Sequence, residues 1–230
     1  MPNWCENQVT VQGKPATLQR LIAAADPSDP KLGQFSLEKL VPCPDELRKT
    51  TARSDFEMYY EAKYGTHGEW KRIANYPWVL EAHDGVAPPR AWLIKFLEDR
   101  NPESAKGGEQ IRENVKKYGS KTWYDWAISN WGTKWDIGAH LEYDFGSDSF
   151  TLIFDSAWSP PLEAFRKISD EWKVRVIFEY YEPGMDFVGT ALIQDGVIVE
   201  EREGKISKDS DRFDFCPDYS DDEFFEDHDF

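Results

Sequence analysis

The stretch that decides the fold is residues 148–182, DSFTLIFDSAWSPPLEAFRKISDEWKVRVIFEYYE. Phe150, Leu152 and Phe154 alternate with Thr151, Ile153 and Asp155, the two-residue period of a strand with one very apolar face. Ser159 suits a helix N-cap, and Pro160-Pro161 suit a first turn. Leu162, Phe165, Ile168 and Trp172 then recur at helical spacing as a buried stripe. Val174, Val176, Phe178 and Tyr180 return to period two. The stretch therefore reads strand, helix, strand.

Working outward, Phe187–Ile193 and Val197–Glu201 predict a hairpin across Gln194-Asp195-Gly196. Upstream, Phe145-Gly146-Ser147-Asp148 is a turn, and Trp135–Tyr143 reads as a strand. Before it, Thr122 with Asp125 resembles a capping box for a short helix carrying Trp123, Trp126, Ala127 and Asn130 and stopping at Gly132. At the start of the chain, Val9 and Val11 mark a strand over 7–12. Leu18, Leu21, Ile22 and Ala25 mark a helix from Pro15, and Phe35–Val41 reads as extended. Residues 45–120 predict an insertion with its own helices, including 55–64, 90–100 and a basic stretch with Arg112, Lys116, Lys117 and Lys121. Gly65-Thr-His-Gly68 and Gly107-Gly108 read as turns, since neither has phosphate-loop spacing. The expected fold is α+β: a ferredoxin-like split βαβ sandwich with a long, mostly helical insertion and an extra C-terminal hairpin. One domain is expected over 1–208, followed by a tail over 209–230.

Four strings resemble the YubB-like proteins of bacterial plasmids and phages. They are Met1-Pro-Asn-Trp-Cys-Glu-Asn-Gln-Val-Thr-Val-Gln-Gly13, Trp131-Gly-Thr-Lys-Trp135, Ala157-Trp-Ser-Pro-Pro161 and Tyr181-Glu-Pro-Gly-Met-Asp-Phe-Val-Gly189. The resemblance implies a ferredoxin-like domain of mobile-element origin, and no catalytic residues.

Composition narrows function mainly by exclusion. The 40% hydrophobic and 15% aromatic content requires a folded core. No apolar run approaches the roughly 20 residues that span a bilayer, and the N-terminus lacks signal-peptide character, so a cytoplasmic protein of a bacterial host is expected. Cys5, Cys43 and Cys216 form no Cys-x-x-Cys pair, and His67, His83, His140 and His228 lack ligand spacing. No metal, cofactor or catalytic group is expected. Asp136, Asp144, Asp155, Glu179, Glu182 and Asp186 cluster near strand ends but form no metal or acid–base motif. A net charge of −16 disfavours nucleic acid as a general partner.

Two candidate sites stand out. Six of the ten tryptophans lie within 123–172, which suggests a ligand or anion pocket of Trp131, Lys134, Trp135, Trp158 and Ser159, with core packing as the alternative. The tail holds ten acids and one arginine, a net of −9 that leaves the rest at only −7. It ends in Phe224, Phe225, Glu226, Asp227, His228, Asp229 and Phe230, resembling the acidic tips of single-stranded-DNA-binding proteins. The first expected function is an interaction module engaging a host DNA-processing or defence protein, with acidic groups that imitate phosphates. The alternatives are a single-stranded nucleic-acid binder using sheet aromatics and the 105–121 cations, and a small-ligand binder using the tryptophans.

Overall fold

The computed structural model describes residues 3–25, 34–51, 53–143 and 146–205. The tail residues Phe224 to Phe230 expected to bind a partner lie outside these residues, as do Asp144 and Phe145. The chain divides into two compact units, Met1–Pro42 with Asn130–Phe230, and Cys43–Ser129. The inserted segment is thus a compact unit with a core of its own.

In chain order the first unit opens with β1 (Trp4–Gln12), α1 (Pro15–Ala25), β2 (Gln34–Phe35) and α2 (Leu37–Leu40). The second unit holds α3 (Asp45–Lys49), α4 (Ser54–Tyr64), α5 (His67–Ala74), α6 (Pro77–Ala82), α7 (Arg90–Arg100), α8 (Pro102–Tyr118) and most of α9 (Trp123–Trp131). The first unit resumes with β3 (Ala139–Glu142), β4 (Ser149–Ala157), α10 (Leu162–Trp172), β5 (Arg175–Glu182), β6 (Phe187–Gln194) and β7 (Val197–Gly204).

Among the described residues, seven strands form an antiparallel sheet in the order β2-β3-β4-β1-β5-β6-β7. Its centre, β3-β4-β1-β5, is the ferredoxin-like arrangement, with β1 between the flanking strands and the helices after β1 and β4 on one face. The β6–β7 hairpin extends one edge. Asp195 and Gly196 both take positive φ (51° and 76°), the geometry of a two-residue turn that follows the strand twist.

Burial strictly alternates along β5, and Val176, Phe178 and Tyr180 turn inward as their spacing requires. On the same face β1 contributes Cys5, Asn7, Val9 and Val11, and β4 contributes Phe150, Leu152 and Phe154. Phe165 of α10 is the hub of this core. Its ring stacks on Phe35 (6.0 Å) and Phe154 (6.3 Å) and meets Phe178 edge-on (4.9 Å). Asn7, fully buried, is satisfied by donating to the Cys5 carbonyl (2.8 Å) and the Ser156 hydroxyl (2.9 Å).

Burial pushes the Cys5 thiol from 9.0 up to about 12. Tyr180 is also raised, first by burial and then by the Glu203 carboxylate. Between pH 9 and 12 the folded chain keeps a Cys5 proton that the unfolded chain has lost. The stability from that neutral thiol is therefore full below pH 9 and falls as pH rises, by roughly 1.4 kcal/mol per unit. Tyr180 adds to this above pH 10. The urea midpoint should drop between pH 8.5 and 10.5, and a midpoint unchanged over that range would contradict this burial.

Several local readings are corrected. Only Gln34–Phe35 of the extended segment is strand; Leu37–Leu40 is helical, because Asp136, a hundred residues on, accepts from the Ser36 hydroxyl and the Leu37 N–H, both at 2.6 Å. The strand expected over 135–143 shortens to Ala139–Glu142, since Asp136 is occupied as that cap. Ser159 does not cap α10, which starts at Leu162 with Pro161 at the cap position. The Pro160-Pro161 pair disfavours helical backbone in the residues before it, so the helix begins later. Ser159 instead donates to the Gly132 carbonyl at 2.6 Å. Leu162 and Trp172 are only half-buried, and Ala164 and Ser169 complete the inner face of α10.

In the second unit, Gly107 and Gly108 are not a turn. They lie inside α8, where it crosses α4, and a Cβ on Gly107 would fall within the Phe56 ring. Nor is Gly65–Gly68 a turn throughout: His67 and Gly68 already belong to α5, which Thr66 and Glu69 open with a capping box. Thr122 caps α9 as expected, its N–H and hydroxyl donating to Asp125 at 3.1 and 3.0 Å. Tyr59, Ala62, Ile73, Val79, Leu93 and Leu97 make the core of this unit.

Candidate functional site

The strand register gathers the sequence's unusual strings at one end of the sheet. Trp4, first in β1, pairs with Ala157, last in β4, and Glu6 pairs with Tyr181 in β5. Beyond the ladder, the Trp158 N–H donates to the Asn3 carbonyl at 3.0 Å. Thr133 ties the 131–135 segment to the same end: its hydroxyl donates to the Ala157 carbonyl (3.0 Å) and accepts from the Ala157 N–H (3.1 Å). The buried Glu182 carboxylate accepts N–H bonds from Gly184 and Met185, which fixes the loop before β6.

This scaffold presents a surface of large side chains. Trp4, Trp135 and Trp158 are 46%, 39% and 37% exposed, and Met185 is 70% exposed. The Trp4 and Trp135 rings lie 6.0 Å apart. The Lys134 ammonium sits 4.6 Å from the Trp135 ring centre and 5.2 Å from that of Trp158, an arrangement stabilised by cation–π attraction. Trp158 and Met185 border a common open groove of about 870 Å³, with Asn3, Asp186 and Phe187.

Of the five residues expected as a pocket, three meet here: Lys134, Trp135 and Trp158. Trp131 is buried, and its indole N–H donates to the Val41 carbonyl at 2.9 Å, so it is core. Ser159 is used in the backbone tie to Gly132. Trp4 and Met185 also belong to the surface: the pairing of Trp4 with Ala157 and the groove that Met185 shares with Trp158 reveal them as neighbours of Trp158.

Trp158 takes a left-handed backbone, φ 72°. For a bulky residue this costs on the order of 1–2 kcal/mol. A glycine would adopt it freely. Trp158→Gly should therefore leave stability within about 1 kcal/mol of the parent, the relieved strain offsetting lost contacts. Urea unfolding checks this, and a loss above about 3 kcal/mol would make Trp158 a structural residue.

Three of the strand-end carboxylates serve separate structural roles. Asp136 caps α2, Glu179 accepts from Gln8 at 3.0 Å, and Glu182 holds its loop. Among the described residues no group of three His, Cys, Asp or Glu is placed to hold a metal ion, and no helix is long and apolar enough to cross a membrane. The aromatics of the central strands, Phe150, Phe154, Phe178 and Tyr180, lie on the buried face. The opposite face of β1, β4 and β5 carries Glu6, Asp155 and Glu179, with Trp4 and Tyr181 as its aromatics. The cations of the 105–121 stretch are largely paired: Arg112 with Glu109, Lys116 with Glu113, Lys117 with Glu46 and Lys121 with Glu61.

Residues 130–224 match the family model of the ferredoxin-like domain in Api92-like protein. The chain carries an Api92-like ferredoxin-like domain. The matched span includes Lys134, Trp135, Trp158 and Met185, while Trp4 precedes it. Among solved structures, the chain is similar to the protein api92 from Yersinia pseudotuberculosis, at 13% identity and a TM-score of 0.45, over 90% of this chain and 99% of that one. No curated protein matches it.

Proposed function

We propose that this protein is an interaction module of mobile-element origin, in line with its YubB-like strings, and that it docks a protein partner on the surface of Trp4, Lys134, Trp135, Trp158 and Met185. The observation that carries the reading is the exposure of three tryptophans in one cluster, one of them on a strained backbone. Grouped, exposed tryptophans are a common anchor of protein interfaces, where burying them supplies most of the binding energy. The partner class is a host DNA-processing or defence protein. The acidic groups, the 209–230 tail among them, supply phosphate-like electrostatics that speed and orient encounter with a basic surface. The test is capture from bacterial lysate by the full chain, by a Trp135→Ala/Trp158→Ala variant and by a chain lacking 209–230, at low and high salt. A partner lost by the tryptophan variant supports docking here, and one also released by salt supports the electrostatic part. Equal capture by parent and tryptophan variant would overturn it.

The nucleic-acid alternative draws less support. Phe150, Phe154, Phe178 and Tyr180 are buried, and the other face of β1, β4 and β5 sets the carboxylates Glu6, Asp155 and Glu179 beside its two aromatics, Trp4 and Tyr181.

A further inference from the structure

A second groove, of about 910 Å³, opens at the other end of β1, away from the tryptophan surface. It lies where β1 gives way to α1 and α10 gives way to β5. Lys14, just before α1, and Thr17 and Arg20 within it follow at three-residue spacing and line the groove. Trp172, half-buried, Lys173 and Arg175 line the same groove. Asp148 and Glu171 also line the groove, so its charged groups are four cations and two carboxylates. That is a net positive site on a chain of net −16. Lys173 is held by Asp170 at 2.8 Å. Among the described residues neither Lys14 nor Arg20 has an ion-pair partner, so both remain available to an anion.

We propose that this groove binds a phosphorylated small molecule with a flat aromatic body, a nucleotide. Its size is that of a small-ligand site. The Lys14 and Arg20 side chains supply charge-assisted donors for phosphate oxygens. Trp172 offers a ring for the base. Binding here is independent of the docking surface, because the two sites share no residue.

Isothermal titration calorimetry of the full chain at low salt, with ATP, adenosine and tripolyphosphate in turn, tests it. ATP should bind more tightly than either fragment. Lys14→Ala/Arg20→Ala, two exposed substitutions, should weaken ATP at least about tenfold while leaving the thermal midpoint unchanged. Trp172→Ala should bring ATP close to tripolyphosphate. No ATP binding at millimolar concentration, or unchanged affinity in the double variant, would overturn the site. Tripolyphosphate binding as tightly as ATP in the parent would overturn the aromatic half.

Discussion

Phe165→Ala should lower the stability of the sheet-bearing unit by about 3–5 kcal/mol, the range for deleting a fully buried aromatic ring. Phe165 is completely buried, and its ring joins Phe35 at the β2 edge to Phe154 and Phe178 on central strands. Removing it strips three aromatic contacts at once, and the surrounding strands are fixed by their ladders and cannot collapse into the gap. Phe165→Leu, which refills most of the volume, should lose roughly 1–2 kcal/mol. Urea unfolding followed by near-ultraviolet circular dichroism reads both. A loss under about 1 kcal/mol for the alanine variant would mean that the ring is not the hub of this core.

Gly107→Ala reverses the usual rule for helices. In an open helix the change gains up to about 1 kcal/mol. In α8 the new methyl would meet the Phe56 ring, and a Cβ on neighbouring Gly108 would approach Tyr59 Cδ1 to 2.5 Å and the Tyr60 backbone nitrogen to 3.1 Å. The α4 and α8 backbones must part, so a net loss of about 2 kcal/mol is expected. In a Phe56→Ala background the obstruction is gone and the same substitution should be neutral or stabilising. The double-mutant cycle isolates the coupling, expected at about 2 kcal/mol. Additive effects would refute the close crossing.

The contrast between these sites shows what sequence can carry. Phe150–Phe154, Phe165 and Val174–Tyr180 were legible because burial follows their local period, and period fixes which face a side chain joins. The Asp195-Gly196 turn was legible for the same reason: its conformation is a property of two adjacent residues. Gly107-Gly108 misled because paired glycines signal a turn locally, while here they admit the Phe56 ring from another helix. Leu37–Leu40 was misread because its cap, Asp136, comes from a hundred residues away. At the candidate site, Lys134, Trp135 and Trp158 were named from aromatic density. Density cannot separate them from Trp131, which is core, because that distinction is set by the Val41 carbonyl waiting for its indole. Trp4 and Met185 escape a local reading because strand pairing brings Trp4 to Trp158 and the loop held by Glu182 brings Met185 to the same groove. The basic groove was invisible in the chain's acidic total, as Lys14 and Arg20 meet Lys173 and Arg175 only in the fold.

The central claim is that the exposed tryptophans serve binding and not folding. Its most direct test is to measure, for Trp135→Ala/Trp158→Ala against the parent, both the urea midpoint and the affinity for a partner purified after capture. Expected is a stability change within about 1 kcal/mol together with at least about a hundredfold loss of affinity, as for truncated aromatic anchors. Unchanged affinity, or a loss of binding that merely tracks unfolding, would contradict it.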